Sequence, residues 1–101
     1  MVSLLAAAPS VTDGRPFDSP IETFVPCWPW GAYLGEHGLE NGVRMKVSSW
    51  VRHAPNAMPT SSKTVGGYVN STLAKVEAIK SGYDEAIMMG HDGRISECSG
   101  E

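Results

Sequence analysis

Residues 68–96 read YVNSTLAKVEAIKSGYDEAIMMGHDGRIS, and the fold class is decided there. Val69, Thr72, Leu73, Val76 and Ile79 recur at three- and four-residue intervals, which puts them on one face of a helix. Asn70, Lys75, Glu77 and Lys80 lie mostly off that face. The spacing predicts a helix that begins near Tyr68 and buries its apolar side. Gly82 is a good stop, because glycine accepts the backbone conformation a helix end requires, and Lys80 just before it complements the helix dipole. Glu85 to Met89 is then a short apolar strand, with Met88 and Met89 in the core. Asp92-Gly93 supplies a tight turn, and Arg94-Ile95-Ser96 starts a returning strand.

Upstream, Val43, Met45, Val47, Ser49 and Val51 alternate with Arg44, Lys46, Ser48, Trp50 and Arg52. A period of two over this length predicts a strand with one buried face, on which Trp50 and Arg52 read as packing and surface charge. Ala54-Pro55-Asn56 and Pro59 close it in a loop. Gly35 to Gly42 is polar and glycine-rich, like a linker. In Trp28-Pro29-Trp30-Gly31-Ala32-Tyr33, the proline and the glycine forbid an ordinary helix. Ile21 to Val25 suits a short strand stopped by Pro26, and residues 9–20 read as loop or extended chain. The order of strand, loop, helix and hairpin makes the fold class α/β (mixed α+β).

A chain of 101 residues has the size of one domain, and 42% apolar with 19% charged residues is ordinary globular composition. The net charge of −3 gives no reason to expect nucleic acid or an anionic membrane as partner. No apolar run reaches the ~20 residues that span a bilayer. Ala6 and Ala8 imitate a signal-peptide cleavage site, but no Lys or Arg precedes the short apolar stretch Val2 to Ala8. A cytoplasmic location is expected, with Cys27 and Cys98 as inert thiols. His37, His53 and His91 lack metal-ligand spacing, so no metal site is expected.

Lys63 sits in Thr60-Ser61-Ser62-Lys63-Thr64-Val65-Gly66-Gly67-Tyr68, between the proline-broken loop and the helix. Most loop lysines are simply solvated. Here two glycines follow, which permit close approach of backbone to a ligand, and a tyrosine stands at the fifth position.

Several blocks, in order, carry a family resemblance: Pro29 to Gly35, Val47 to Asn56, Lys63 to Gly67, Tyr68 to Ser71, Gly82 to Ala86 and Asp92 to Glu101. With them, residues 28–101 resemble the branched-chain amino-acid aminotransferases, pyridoxal-phosphate enzymes of fold type IV. The resemblance implies that Lys63 forms a Schiff base with the cofactor, pyridoxal 5'-phosphate, and carries the proton during transfer. Both roles suit an amine whose charge is discouraged by its surroundings. It implies that Tyr68 hydrogen-bonds the phenolic oxygen, and that Glu97 faces the pyridine nitrogen and keeps it protonated. Trp30 and Tyr33 resemble residues of the substrate side-chain pocket, where an apolar wall suits branched aliphatic groups. Structural core is an equal alternative for Trp30.

The implied reaction passes the amino group of leucine, isoleucine or valine to 2-oxoglutarate, in a homodimer. The implied layout has an irregular segment at 1–19, the end of a small N-terminal domain at 20–32, a linker at 33–42 and the start of the cofactor domain at 43–101. Residues 1–19 show no convincing resemblance. The family's upstream phosphate-binding arginine has no counterpart, nor do its substrate-carboxylate and downstream phosphate-binding residues. A truncated, inactive fragment is therefore expected. The rival readings are a D-amino-acid aminotransferase or aminodeoxychorismate lyase of the same fold type, and a non-catalytic remnant that pairs with intact subunits.

Overall fold

The structure, a computed structural model, describes residues 5–7 and 22–100. It comprises two compact units, Met1–Tyr33 and Leu34–Glu101. In the first, strand β1 (Leu5–Ala7) pairs antiparallel with β2 (Glu22–Phe24), placing Leu5 opposite Phe24 and Ala7 opposite Glu22. The segment read as irregular thus contributes a strand. The loop expected at 9–20 lies outside the described residues.

The second unit begins with helix α1 (Gly35–Asn41), where the glycine-rich composition had suggested only a linker. Its glycines explain how the helix fits. Gly35 and Gly42 take positive φ at its two ends, and Gly38 lies where a Cβ would come within 3.0 Å of Val43. Strand β3 (Met45–Val47), helix α2 (Val65–Lys80), β4 (Glu85–Met89) and β5 (Ile95–Cys98) follow. They form a three-stranded sheet in the order β3-β4-β5. β3 runs parallel to β4, as a helical crossover between them requires, with Met45 opposite Glu85. β5 returns antiparallel, with Met88 opposite Glu97 and a register shift between Met88 and Met89. The turn between them is the expected one. Gly93 has φ +76°, the Asp92 carboxylate accepts from the Arg94 amide at 3.1 Å, and the Gly90 amide donates to the Arg94 carbonyl at 2.8 Å.

Two further expectations are corrected. β3 is far shorter than the alternation from Val43 to Val51 predicts, and the reason is Glu77 on α2. Its carboxylate accepts from Lys46 Nζ, from the Ser48 and Ser49 hydroxyls (2.9 Å each) and from the Ser49 amide (3.1 Å). The Ser48 hydroxyl also accepts from the Trp50 amide, at 3.0 Å. Pairing with β4 therefore lapses after the Ser48 amide bonds the Ile87 carbonyl (2.9 Å). It resumes only where the Arg52 amide bonds the Met89 carbonyl (2.8 Å). One edge spends four residues while the other spends two, which makes an enlarged bulge.

The second correction concerns α2. Val69, Leu73, Val76 and Ile79, expected to be buried, are 41–60% exposed, and Thr72 is exposed too. The buried face is Gly67, Ser71, Ala74 and Ala78, and the core it joins is Ala74, Ala78, Ala86 and Met88. Small side chains let the helix backbone approach β4 closely, and the periodicity of large residues marks a different stripe. Met88 is fully buried as expected, while Met89 is only half-buried. Burying a methionine side chain of this kind contributes roughly 1.5–3 kcal/mol.

Beneath the sheet's end, Glu85 is almost fully buried. Burial pushes its carboxyl up. Hydrogen bonds from Ser99, the Ala86 amide (2.6 Å) and Lys75 (3.0 Å) outweigh that and leave it below its ordinary value. The contact with Ser99, together with the Ser99 amide on the Ala86 carbonyl at 3.2 Å, ties down the chain just after β5.

Candidate active site

Lys63 lies in the loop that leads into α2, two residues before its first helical position. Tyr68 is in the first turn of that helix and Glu97 is on β5. These elements converge, so Lys63, Tyr68 and Glu97 line one cleft of about 200 Å³, with Arg52 and His53 on the same wall. The loop hydroxyls of Thr60, Ser61, Ser62 and Thr64 border it as well. A second hollow of about 510 Å³ shares Arg52, His53, Thr60, Ser61 and Glu97 with the first. Ligand sites are commonly about 300–1,000 Å³, so the two together, but not the smaller alone, have that capacity.

Arg52 is the residue that sequence reasoning missed. It was expected to be surface charge, yet only 12% of its side chain is exposed, and its guanidinium forms an ion pair with Glu97. It also donates to the Ser71 hydroxyl at 2.8 Å, on the buried face of α2. The bulge explains the error: a residue four beyond Ser48 takes the ladder position that a straight strand would give to the one two beyond it. One signal was present in the sequence. A carboxylate assigned to an enclosed site needs a cationic partner, and arginine is the side chain best suited to supply it.

Asn70 fixes the neighbouring backbone. Its Nδ2 donates to the Val51 carbonyl (3.1 Å) and its Oδ1 accepts from the His53 amide (3.3 Å). His53 was set aside for want of metal spacing, but it is part of the cleft, and its Nε2 is buried with no hydrogen-bond partner among the described residues. Gly66 and Gly67 do something other than make room for a ligand. Neither takes positive φ, and a Cβ on them would meet Met58 at 3.3 and 3.6 Å and, for Gly67, His53 at 3.9 Å. They let the loop pack on the first turn of α2.

Trp30 and Tyr33 belong to the first unit and are about half exposed. Trp30 is therefore no core residue among those described. It lies against Trp28 in a tilted pair, with ring centroids 5.8 Å apart.

An amine, a phenol and an ion-paired carboxylate around one cleft can capture an aldehyde and bind a flat heterocycle by its polar edges. The amino-transferase class IV profile matches residues 6–101, which carries the likeness well upstream of residue 28, into a segment whose sequence blocks show none. The branched-chain-amino-acid aminotransferase of Pseudomonas aeruginosa is 43% identical over 81 residues, covering 80% of this chain and 26% of that protein. That of Escherichia coli is 46% identical over 80 residues, 79% of this chain and 26% of its own length. The T.th. branched-chain amino acid aminotransferase with pyridoxamine 5'-phosphate superposes with a TM-score of 0.80 at 43% identity. The match covers 99% of this chain and 33% of that one. The mixed α/β class expected from the sequence is thus part of the aminotransferase fold, and the chain spans about a quarter of the length of the curated relatives it matches.

Proposed function

The chain belongs to the amino-transferase class IV family, and on that premise we propose that it serves a branched-chain amino-acid transaminase. Leucine, isoleucine or valine gives up its amino group and 2-oxoglutarate receives it, with pyridoxal 5'-phosphate held at Lys63. The observation that carries this reading is the convergence of Lys63, Tyr68 and Glu97 on one cleft. Their donor set suits the cofactor: an amine for its aldehyde, a phenol for its phenolic oxygen and a carboxylate for its ring nitrogen. When bound, pyridoxal phosphate supplies a carbonyl for amine exchange and a ring that accepts electron density.

The residues divide the remaining work. Lys63 would hold the cofactor through its aldehyde, and the Lys63 amine would serve to move a proton at the substrate Cα. Glu97 would hold a proton on the ring nitrogen, and Tyr68 would orient the ring through its hydroxyl. Trp30 and Tyr33 offer apolar surface to a branched side chain, the only handle such a substrate provides. In the same reading residues 33–42 connect a small domain, ending at 20–32, to a cofactor domain that starts at 43–101. The division of the chain after Tyr33 supports a boundary at the start of that connection, although the helix Gly35–Asn41 groups with the second unit. A homodimer in the cytoplasm completes the proposal. Among the described residues no helix is long and apolar enough to cross a membrane.

The test is capture of the cofactor. The protein is incubated with pyridoxal 5'-phosphate, reduced with borohydride and mapped by peptide mass. Label concentrated on Lys63 rather than on Lys46, Lys75 or Lys80 is the expected result, and label spread evenly over the lysines would end the proposal. In an enzyme of the relatives' full length that carries these residues, turnover of L-leucine over D-alanine or aminodeoxychorismate separates this reading from the other activities of the fold type.

A further inference from the structure

We propose that Arg52 is a positioning residue for Glu97, setting the carboxylate for the cofactor's ring nitrogen by tying it to helix α2. The inference rests on the cofactor reading above and extends it to a residue whose sequence context suggested only surface charge.

Glu97 sits on β5, an edge strand of the sheet, with 29% of its side chain exposed. A glutamate there has several rotamers and no intrinsic reason to hold one. Arg52 removes that freedom, because its guanidinium pairs with Oε1 of Glu97 and also donates to Ser71 Oγ. A guanidinium is planar, and with Ser71 and Asn70 of α2 both accepting from its Nη1, the helix sets the plane of the charge that faces Glu97. A carboxylate has about four acceptor sites, so one ion pair leaves capacity for a ligand's N–H.

The anchoring partner gives the arrangement its meaning. Ser71 lies on the buried face of α2, one turn beyond Gly67, and Tyr68 belongs to the same helix. Arg52 itself is seated by its amide on the Met89 carbonyl, while Asn70 of α2 holds the backbone on either side of it. Two groups assigned to different atoms of the ring, Tyr68 and Glu97, are thereby referred to one helix. If either shifted alone, a flat ligand could satisfy only one of them, and precise placement of this kind is where remote residues influence reactivity.

The experiment measures the pyridoxal 5'-phosphate concentration for half-maximal labelling of Lys63, across pH, for the native chain, Arg52→Lys, Arg52→Gln, Ser71→Ala, Glu97→Gln and the double variant Arg52→Gln/Glu97→Gln. Thermal melts accompany each. Arg52→Gln should raise that concentration roughly tenfold, the scale of the coupling between ion-paired residues in contact, and Arg52→Lys should regain part of it. Ser71→Ala, which keeps every charge, should move in the same direction by less, and it carries the test if Arg52→Gln does not fold. The double variant should match Glu97→Gln to within about twofold, because the two residues act as one unit. Native-like labelling in Arg52→Gln and Ser71→Ala, or losses that multiply in the double variant, would overturn the assignment while leaving Lys63 as the cofactor lysine. A native chain that shows no preference for Lys63 removes the cofactor reading, and Arg52's role falls with it.

Discussion

Glu77 shows how one carboxylate on a helix shapes a site to which it contributes no atom. Its hydrogen bonds from Lys46, then from Ser48 and Ser49, hold its carboxyl down at about 2, well below the ordinary 4.5. A group whose folded value is depressed adds stability that is fully present above its unfolded value and is lost as pH falls through the folded one. The native chain should therefore lose stability between about pH 4.5 and pH 2, as this carboxylate is forced to protonate in the folded state. Glu77→Gln should be less stable at neutral pH and flatter across that acid window. Chemical denaturation at several pH values measures both, and parallel profiles for the two proteins would refute the linkage. The same residue explains why Arg52 was illegible in the sequence. Strict alternation from Val43 to Val51 implies an unbroken strand, and only knowledge of what Glu77 captures reveals the bulge that carries Arg52 to Glu97. Lys63, Tyr68 and Glu97, which share a cleft, could be singled out as candidates because each stands in a contiguous block whose residue types resemble a family pattern. Arg52 acts through two partners 19 and 45 residues away, which local spacing cannot express.

Helix α2 makes the same point in reverse, since its boundaries were readable and its orientation was not. Gly82, with φ +81°, ends it where expected, and the start lies three residues before Tyr68. Apolar periodicity locates a stripe but cannot say which neighbour covers it, and here β4 covers the small residues instead. That arrangement has a measurable consequence for the 101-residue polypeptide. Ala74 and Ala78 have no exposed surface to speak of, so Ala74→Leu or Ala78→Leu must push the helix off the sheet. Overpacking of this kind costs about 1–3 kcal/mol. Val69→Ser and Ile79→Ser, at positions 60% and 57% exposed, should stay within roughly 0.5 kcal/mol. Urea unfolding midpoints decide between the two faces. A larger loss from the serine variants would show that the exposed stripe is the true packing surface of the isolated chain.

For the molecule as a whole, the open state of the cleft bears most directly on activity. Lys63 and Tyr68 are both exposed, with Tyr68 at 41%, and the apolar stripe Val65, Val69, Leu73, Val76 and Ile79 faces outward beside them. A site that admits water gains little from its fixed charges. Transamination needs the opposite conditions, a cleft closed to water and a substrate held in one orientation. The 101-residue polypeptide should accordingly retain selective capture of pyridoxal phosphate at Lys63 but show no transfer from leucine to 2-oxoglutarate above background. The two measurements are independent, one a mass map and the other a coupled assay for glutamate. Ordinary turnover by the 101 residues alone would mean that an exposed lysine and a solvated tyrosine suffice for the chemistry. In that case, exclusion of water from the cleft would have to be dropped as a requirement of the proposed mechanism.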